Sequence, residues 1–273
     1  MRQGTARTPR RSRGGRRGRR SPLATLALIA VGLFVTGGAY AGFTATSSAS
    51  ADSSLTNAQN IAHGKRLFQA NCATCHGLAL QGSASGPALI GVGAAAFDFQ
   101  VRTGRMPLEQ DAPQAQKHPV SFTATQVRDI VAYGASVSPG PGLPDPKYLK
   151  GDGNATLGAR LFRTNCAMCH NVAGAGGALT EGKYAPSLKD SSPATIYEAM
   201  LTGPQSMPVF NDNNLTPQEK ADIITSLKYN AAASQVAGFD LGSIGPVTEG
   251  LFLWIFGLGS IIAFTVWLTA KSN

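Results

Sequence analysis

The chain has 273 residues and a formal net charge of +9. Nine arginines and no acid fall within residues 1–20, and the remainder carries 15 basic and 15 acidic residues. The positive balance therefore belongs to a terminal tail, which reads as a topology signal with nucleic-acid binding as the competing idea, and no net basic charge is left for the folded part.

The basic tail, residues 1–22, precedes an uncharged apolar run, Leu23–Phe43. Its 21 residues span roughly 31 Å as a helix, against a hydrocarbon core of about 30 Å. This predicts a transmembrane helix over 23–43. A cleaved signal peptide is the alternative, with Leu23–Val35 as its apolar part and Ala39-Tyr40-Ala41 as a small-x-small cleavage site. Residues 44–54, rich in Ser and Ala, read as a tether.

Residues 55–137 and 151–233 read as one module occurring twice. Gly64-Lys-Arg-Leu-Phe68 is echoed by Gly158-Ala-Arg-Leu-Phe162, and Asn71–His76 (NCATCH) by Asn165–His170 (NCAMCH). Gly86-Pro87-Ala88-Leu89 is matched by Ala185-Pro186-Ser187-Leu188, and Met106-Pro107 by Met207-Pro208. The modules are predicted to be helical. Gly64, Phe68 and Cys72 share a helical stripe, as do Gly158, Phe162 and Cys166. Thr123 with Gln126, and Thr216 with Glu219, form capping boxes that open helices bearing Val127, Ile130 and Val131, and Ile223, Ile224 and Leu227. Ser192-Pro193 starts a helix that Gly203 stops. No stretch alternates apolar and polar residues, so no strands are expected. The four prolines of 138–150 predict an extended, stiff linker.

A connector, 234–250, leads to a second uncharged run, Leu251–Thr269, with Trp254 and Trp267 near its ends. The arginine tail and Lys271 place both termini in the cytoplasm and residues 44–250 outside it. The expected fold is all-α: two tandem modules flanked by transmembrane helices in a cell membrane.

The four cysteines all lie in the two Cys-x-x-Cys-His motifs. Disulfides would explain neither the histidine nor its repetition. A four-cysteine zinc site usually brings its pairs within about 15–20 residues of each other, far closer than Cys75 and Cys166. Cys-x-x-Cys-His is the attachment sequence for c-type haem. Cys72 and Cys75, and Cys166 and Cys169, would each form two thioethers with one haem, and His76 and His170 would be the proximal iron ligands. Two bound haems would also supply the apolar core that modules this small and glycine-rich lack.

The sixth ligand decides between electron transfer and catalysis, because a Met/His pair leaves no open iron position. Met106 is the one methionine of the first module. In the second, Met168 is confined within the motif and Met200 falls on a helix face, which leaves Met207. His63 and His118 read as a solvent-facing or capping residue and a loop residue. Pro87 and Pro186 are expected to offer carbonyls to the second nitrogen of the proximal histidines.

Gly64-x-x-x-Phe68-x-x-x-Cys72-x-x-Cys75-His76, followed by Gly-Pro-x-Leu and Met-Pro, resembles a class I cytochrome c domain, and Gly158 through Met207 repeats it. The full layout is similar to the di-haem cytochrome c subunit of actinobacterial cytochrome bc1 complexes. That resemblance implies a menaquinol–cytochrome c reductase in which this chain sits with a cytochrome b subunit and a Rieske iron–sulfur subunit. It would take electrons from the Rieske protein and pass them to an aa3-type cytochrome c oxidase. Other readings are a cytochrome subunit of another membrane oxidase or dehydrogenase, or a di-haem peroxidase, which would need a displaceable axial ligand.

Overall fold

The computed structural model describes residues 22–46, 53–110, 112–234 and 246–271. The basic tail apart from Pro22, most of the tether and most of the connector lie outside the described residues. Helix α1, Pro22–Thr46, is a continuous 25-residue helix and belongs to a compact unit of its own, Met1–Ser48. From Leu26 to Gly38 its side chains are exposed.

The second unit begins with α2 (Ser53–Thr56), α3 (Ala58–Asn71), α4 (Ala73–His76), α5 (Gly93–Arg102) and α6 (Ala124–Val137). Asn57 caps α3, its side-chain oxygen accepting from Gln59 N at 2.8 Å. Thr123 and Gln126 form the capping box of α6. The apolar faces of these helices meet around Phe68, Phe97, Val101, Val127, Ile130 and Tyr133. The helices α3 and α6 cross at Gly64. A Cβ there would lie 1.8 Å from the carbonyl oxygen of Asp129, so only glycine lets the backbones touch.

The same arrangement recurs with α7 (Ala155–Asn165), α8 (Ala167–His170), α9 (Pro193–Thr202) and α10 (Pro217–Ser234). Here the core is Phe162, Ile196, Tyr197, Met200, Ile223 and Ile224. Gly158 meets the carbonyl of Asp222, where a Cβ would stand 1.9 Å from the oxygen. Ser192 caps α9 with Pro193 in its first turn, and Gly203 ends it with φ 57°. Thr216 and Glu219 exchange the two bonds of a capping box at α10, at 2.8 and 3.3 Å.

One expectation needs correction. A short antiparallel hairpin is present, with β1 (Gly177–Ala178) paired to β2 (Tyr184–Ala185). Strands of two residues are too short to leave an alternating pattern. The proline-rich segment, without regular structure from 139 to 145, is docked at both ends. Ser138 is fully buried, Ala95 N donates to the Pro141 carbonyl at 3.0 Å, and Leu143 packs on the first core. Pro146–Leu149 then forms a 3-10 turn whose Tyr148 and Leu149 pack on the second core. Apolar residues among and after the prolines (Leu143, Tyr148 and Leu149) tie the segment down at both ends.

The C-terminal helix starts before the apolar run. It runs as α11 (Pro246–Phe252), a π turn over Leu253–Leu258 and α12 (Gly259–Lys271). Its stretch Thr248–Lys271 is the one helix among the described residues long and apolar enough to cross a membrane, with mean hydropathy 2.2.

Candidate haem-binding sites

Each cysteine motif forms one helical turn set against the end of a longer helix. Cys72 ends α3 and, at φ −124°, starts α4 in a new direction. Cys166 does the same between α7 and α8 at φ −123°. The His76 N–H donates to the Cys72 carbonyl at 3.0 Å, and His170 N to Cys166 at 2.9 Å. The break follows directly after Phe68 and Phe162, whose burial anchors the last turn of the preceding helix.

None of the four cysteines is joined to another in a disulfide. Burial, and then the neighbouring cysteine of each pair, pushes Cys72 and Cys166 up to about 11. No group of three or more His, Cys, Asp or Glu suited to a metal ion occurs among the described residues. That donor set does not fit a zinc site, which needs four ligands around one centre.

Both motif histidines are buried, and both are oriented from behind. His76 Nδ1 lies 2.8 Å from the Pro87 carbonyl oxygen, and His170 Nδ1 lies 3.0 Å from that of Pro186. A carbonyl can only accept, so Nδ1 carries the proton and Nε2 keeps its lone pair for a metal. Burial also lowers the pKa of His170, favouring the neutral ligating form.

In the second half these residues surround a cavity of about 1160 Å³, counted with its open mouth. Cys166, Cys169, His170 and Met207 all line it, with Phe162 and Ile196 among its apolar walls. A mostly apolar chamber with two thiols, a proton-fixed imidazole and a thioether fits a haem. Met207 reaches it from the loop after α9, where its N–H donates to the Pro204 carbonyl at 3.0 Å. Met200, 2 % exposed in the core, and Met168, 96 % exposed, line the cavity as well. In the first half Met106 follows α5, its N–H donating to the Gln100 carbonyl at 3.1 Å. His63 pairs with Asp129 at 2.6 Å, and His118 with Glu109 at 3.2 Å.

The sequence gives no sign that first-half residues enter the second cavity. Phe99, Arg105 and Gln114 line it alongside the second-half residues. They arrive there because α5 packs against α9, a tertiary contact that leaves no periodic signature.

That helix contact also buries Glu198, 2 % exposed, against Asp98, 3 % exposed. Arg102 grips Asp98, its Nε 2.6 Å from Oδ2. Burial first, then the facing Asp98 carboxylate, holds the Glu198 carboxyl far above the usual carboxylate range, while Arg102 opposes the shift. The folded state thus holds a proton that the unfolded chain releases. Its stability should fall as pH rises from the ordinary carboxylate pKa towards the raised one. Glu198→Gln should flatten that decline, leaving melting temperature little changed at pH 5 and higher than wild type at pH 8. Parallel melting curves for the two proteins across this range would refute the buried-proton account.

Comparison with known proteins places this geometry. A family model described as cytochrome c matches residues 61–138. A model described as cytochrome c oxidase, cbb3-type, subunit III matches residues 153–225. The cytochrome bc1 complex cytochrome c subunit of Corynebacterium efficiens is 44 % identical over 228 residues, covering 78 % of this chain and 77 % of that one. The same subunit of Mycobacterium tuberculosis is 41 % identical over 253 residues, covering 90 % of each chain. The chain belongs to the family of cytochrome bc1 complex cytochrome c subunits. The cbb3-type match covers a single haem-sized segment, whereas the bc1 subunits align along most of the chain, so the latter decide the family.

Membership carries an electron-transfer role within a quinol–cytochrome c reductase, with haem c covalently bound. The long apolar C-terminal helix accords with membrane association. A cytochrome c-553-like protein of Synechocystis, 35 % identical over 80 residues, shows that one segment of the chain is also similar to a single small cytochrome.

Proposed function

We propose that this chain is a di-haem electron relay built from two tandem class I cytochrome c domains, 55–137 and 151–233. It would be anchored by α1 and by the C-terminal helix, with the domains outside the cytoplasmic membrane and both termini inside. Cys72 and Cys75 hold one haem and Cys166 and Cys169 the other. His76 with Met106, and His170 with Met207, would hold the two irons, and Pro87 and Pro186 orient the histidines. When bound, each haem supplies a one-electron iron couple. The chain's own residues fix that couple. Imidazole and thioether would together hold each iron, which would raise its potential and leave no site for peroxide, and apolar walls would exclude water.

The observation that carries this reading is the doubled geometry: a cysteine pair on one turn and a buried histidine locked by a proline carbonyl, in each half. The chain would accept electrons from a Rieske iron–sulfur protein beside a cytochrome b subunit and pass them to an aa3-type cytochrome c oxidase. Two anchors would confine both domains to the membrane surface and raise their effective concentration near fixed partners.

Purification in mild detergent tests this. The expected result is two covalent haems per denatured chain, with cytochrome b, the Rieske protein and the oxidase co-purifying. A single haem, extractable haem, or isolation with a dehydrogenase instead would overturn it.

A further inference from the structure

Arg105 stands between Gly104 and Met106, in the loop bearing the first domain's axial methionine. Its side chain nevertheless lines the second domain's cavity, with Phe99 and Gln114. It is 9 % exposed, and its guanidinium lies 4.9 Å from the centre of the Phe99 ring. The ring face offers some attraction and the Tyr184 phenol acts on the charge from nearby, but no carboxylate among the described residues pairs with it. The ion pairs of this region use its neighbours instead: Arg102 goes to Asp98 and His118 to Glu109. A guanidinium removed from water without an anion is costly, so the cavity wall presents a cation that lacks its partner.

The wall that holds it is also built by both domains. The Gln114 amide spans the gap, donating to the Tyr184 carbonyl at 2.9 Å and accepting from Tyr184 N at 2.8 Å. Ala115 N donates to Gln205 Oε1 at 3.4 Å, two residues before Met207. These bonds pin β2 and the Met207 loop to the first domain.

The geometry points to Arg105 as a binding residue of the second haem, reaching across from the first domain to pair with a haem carboxylate. The inference rests on the di-haem reading above. A haem attached through its vinyl edge keeps two carboxylates, and the planar guanidinium fork matches a carboxylate with two parallel bonds. The second site is then incomplete without the first domain. A fixed positive charge in a water-poor cavity favours the iron state carrying the extra electron, so Arg105 raises the potential of the second haem. Its covalent neighbour Met106 serves the first.

The test is an optical redox titration of the full chain in its detergent-purified complex. Met207→His identifies which titration step belongs to the second haem. Arg105→Gln should move that step to lower potential and leave the other in place. Arg105→Lys, which keeps the charge and loses the fork, should move the same step less. Selective loss of the second haem in Arg105→Gln, with retention in Arg105→Lys, also supports the pairing. Both haems present with the second step unmoved, or movement of the first step alone, overturns it. Should Arg105→Gln fail to accumulate, the Arg105→Lys titration decides by the same criterion. Failure of the parent reading shows separately, as a wild-type chain without two covalent haems.

Discussion

Gly64→Ala and Gly158→Ala should each prevent their own domain from forming a stable, haem-loaded fold. The obstacle is backbone, which cannot rotate away as a side chain can. A Cβ at Gly64 would stand 1.8 Å from the Asp129 carbonyl oxygen and 3.0 Å from the Tyr133 Cβ. One at Gly158 would stand 1.9 Å from the Asp222 oxygen and 2.8 Å from Ile223 N. Relief requires α3 to move off α6, or α7 off α10. That would open the contact between Phe68 and Tyr133, whose ring centres are 5.4 Å apart, or the seat of Phe162. Overpacking a core commonly costs about 1–3 kcal/mol and occasionally more; with an unyielding carbonyl as the obstacle, a loss of roughly 3 kcal/mol or more is expected. Haem staining of denatured chains should fall by half in each single variant and to near zero in the double one. Full haem content with an unchanged melting temperature would show that these helices do not cross at the glycines.

Met207→His and Met106→His should lower the potential of one haem each while leaving both irons six-coordinate. Thioether ligation favours the reduced iron, and a second imidazole reverses that preference. Axial ligands set haem potentials over a span of about 0.8 V, and each 59 mV is a tenfold change in a one-electron equilibrium. A fall on the order of 100 mV or more is expected, enough to slow electron flow through the chain by roughly tenfold or more. The residue pairs are not equivalent in their surroundings. Met207 packs against the second core beside Phe210, whereas Met106 is followed by a polar loop. The comparison is Met200→Leu, a buried replacement of similar volume on the same cavity wall, which should shift stability slightly and move the second potential far less than Met207→His. If Met200→Leu moved the second potential and Met207→His did not, the axial assignment would pass from Met207 to Met200.

Much of the molecule follows from local chemistry that a sequence displays. Helix starts were legible because a cap is a short-range device: Thr123 with Gln126, Thr216 with Glu219 and Ser192 before Pro193 satisfy N–H groups within three residues of themselves. The glycine, phenylalanine and cysteine stripe was legible because a helix repeats every 3.6 residues. The doubling of the motifs was plain without any structure, and the whole-length relatives place the chain in the family that its layout resembles.

The hairpin at Gly177–Ala185 and the docking of the 138–150 segment were not legible. The hairpin strands are shorter than a period, and the segment's order depends on Leu143, Tyr148 and Leu149 finding two separate cores.

By itself, then, the sequence displayed the doubled Cys-x-x-Cys-His motif and determined where α6, α9 and α10 begin, since covalent spacing and capping act over a few residues. Tertiary structure alone decided that α5 lies on α9, that Glu198 meets Asp98, and that Arg105 faces the other domain's cavity. Those contacts join residues about a hundred positions apart, through burial that no local pattern encodes.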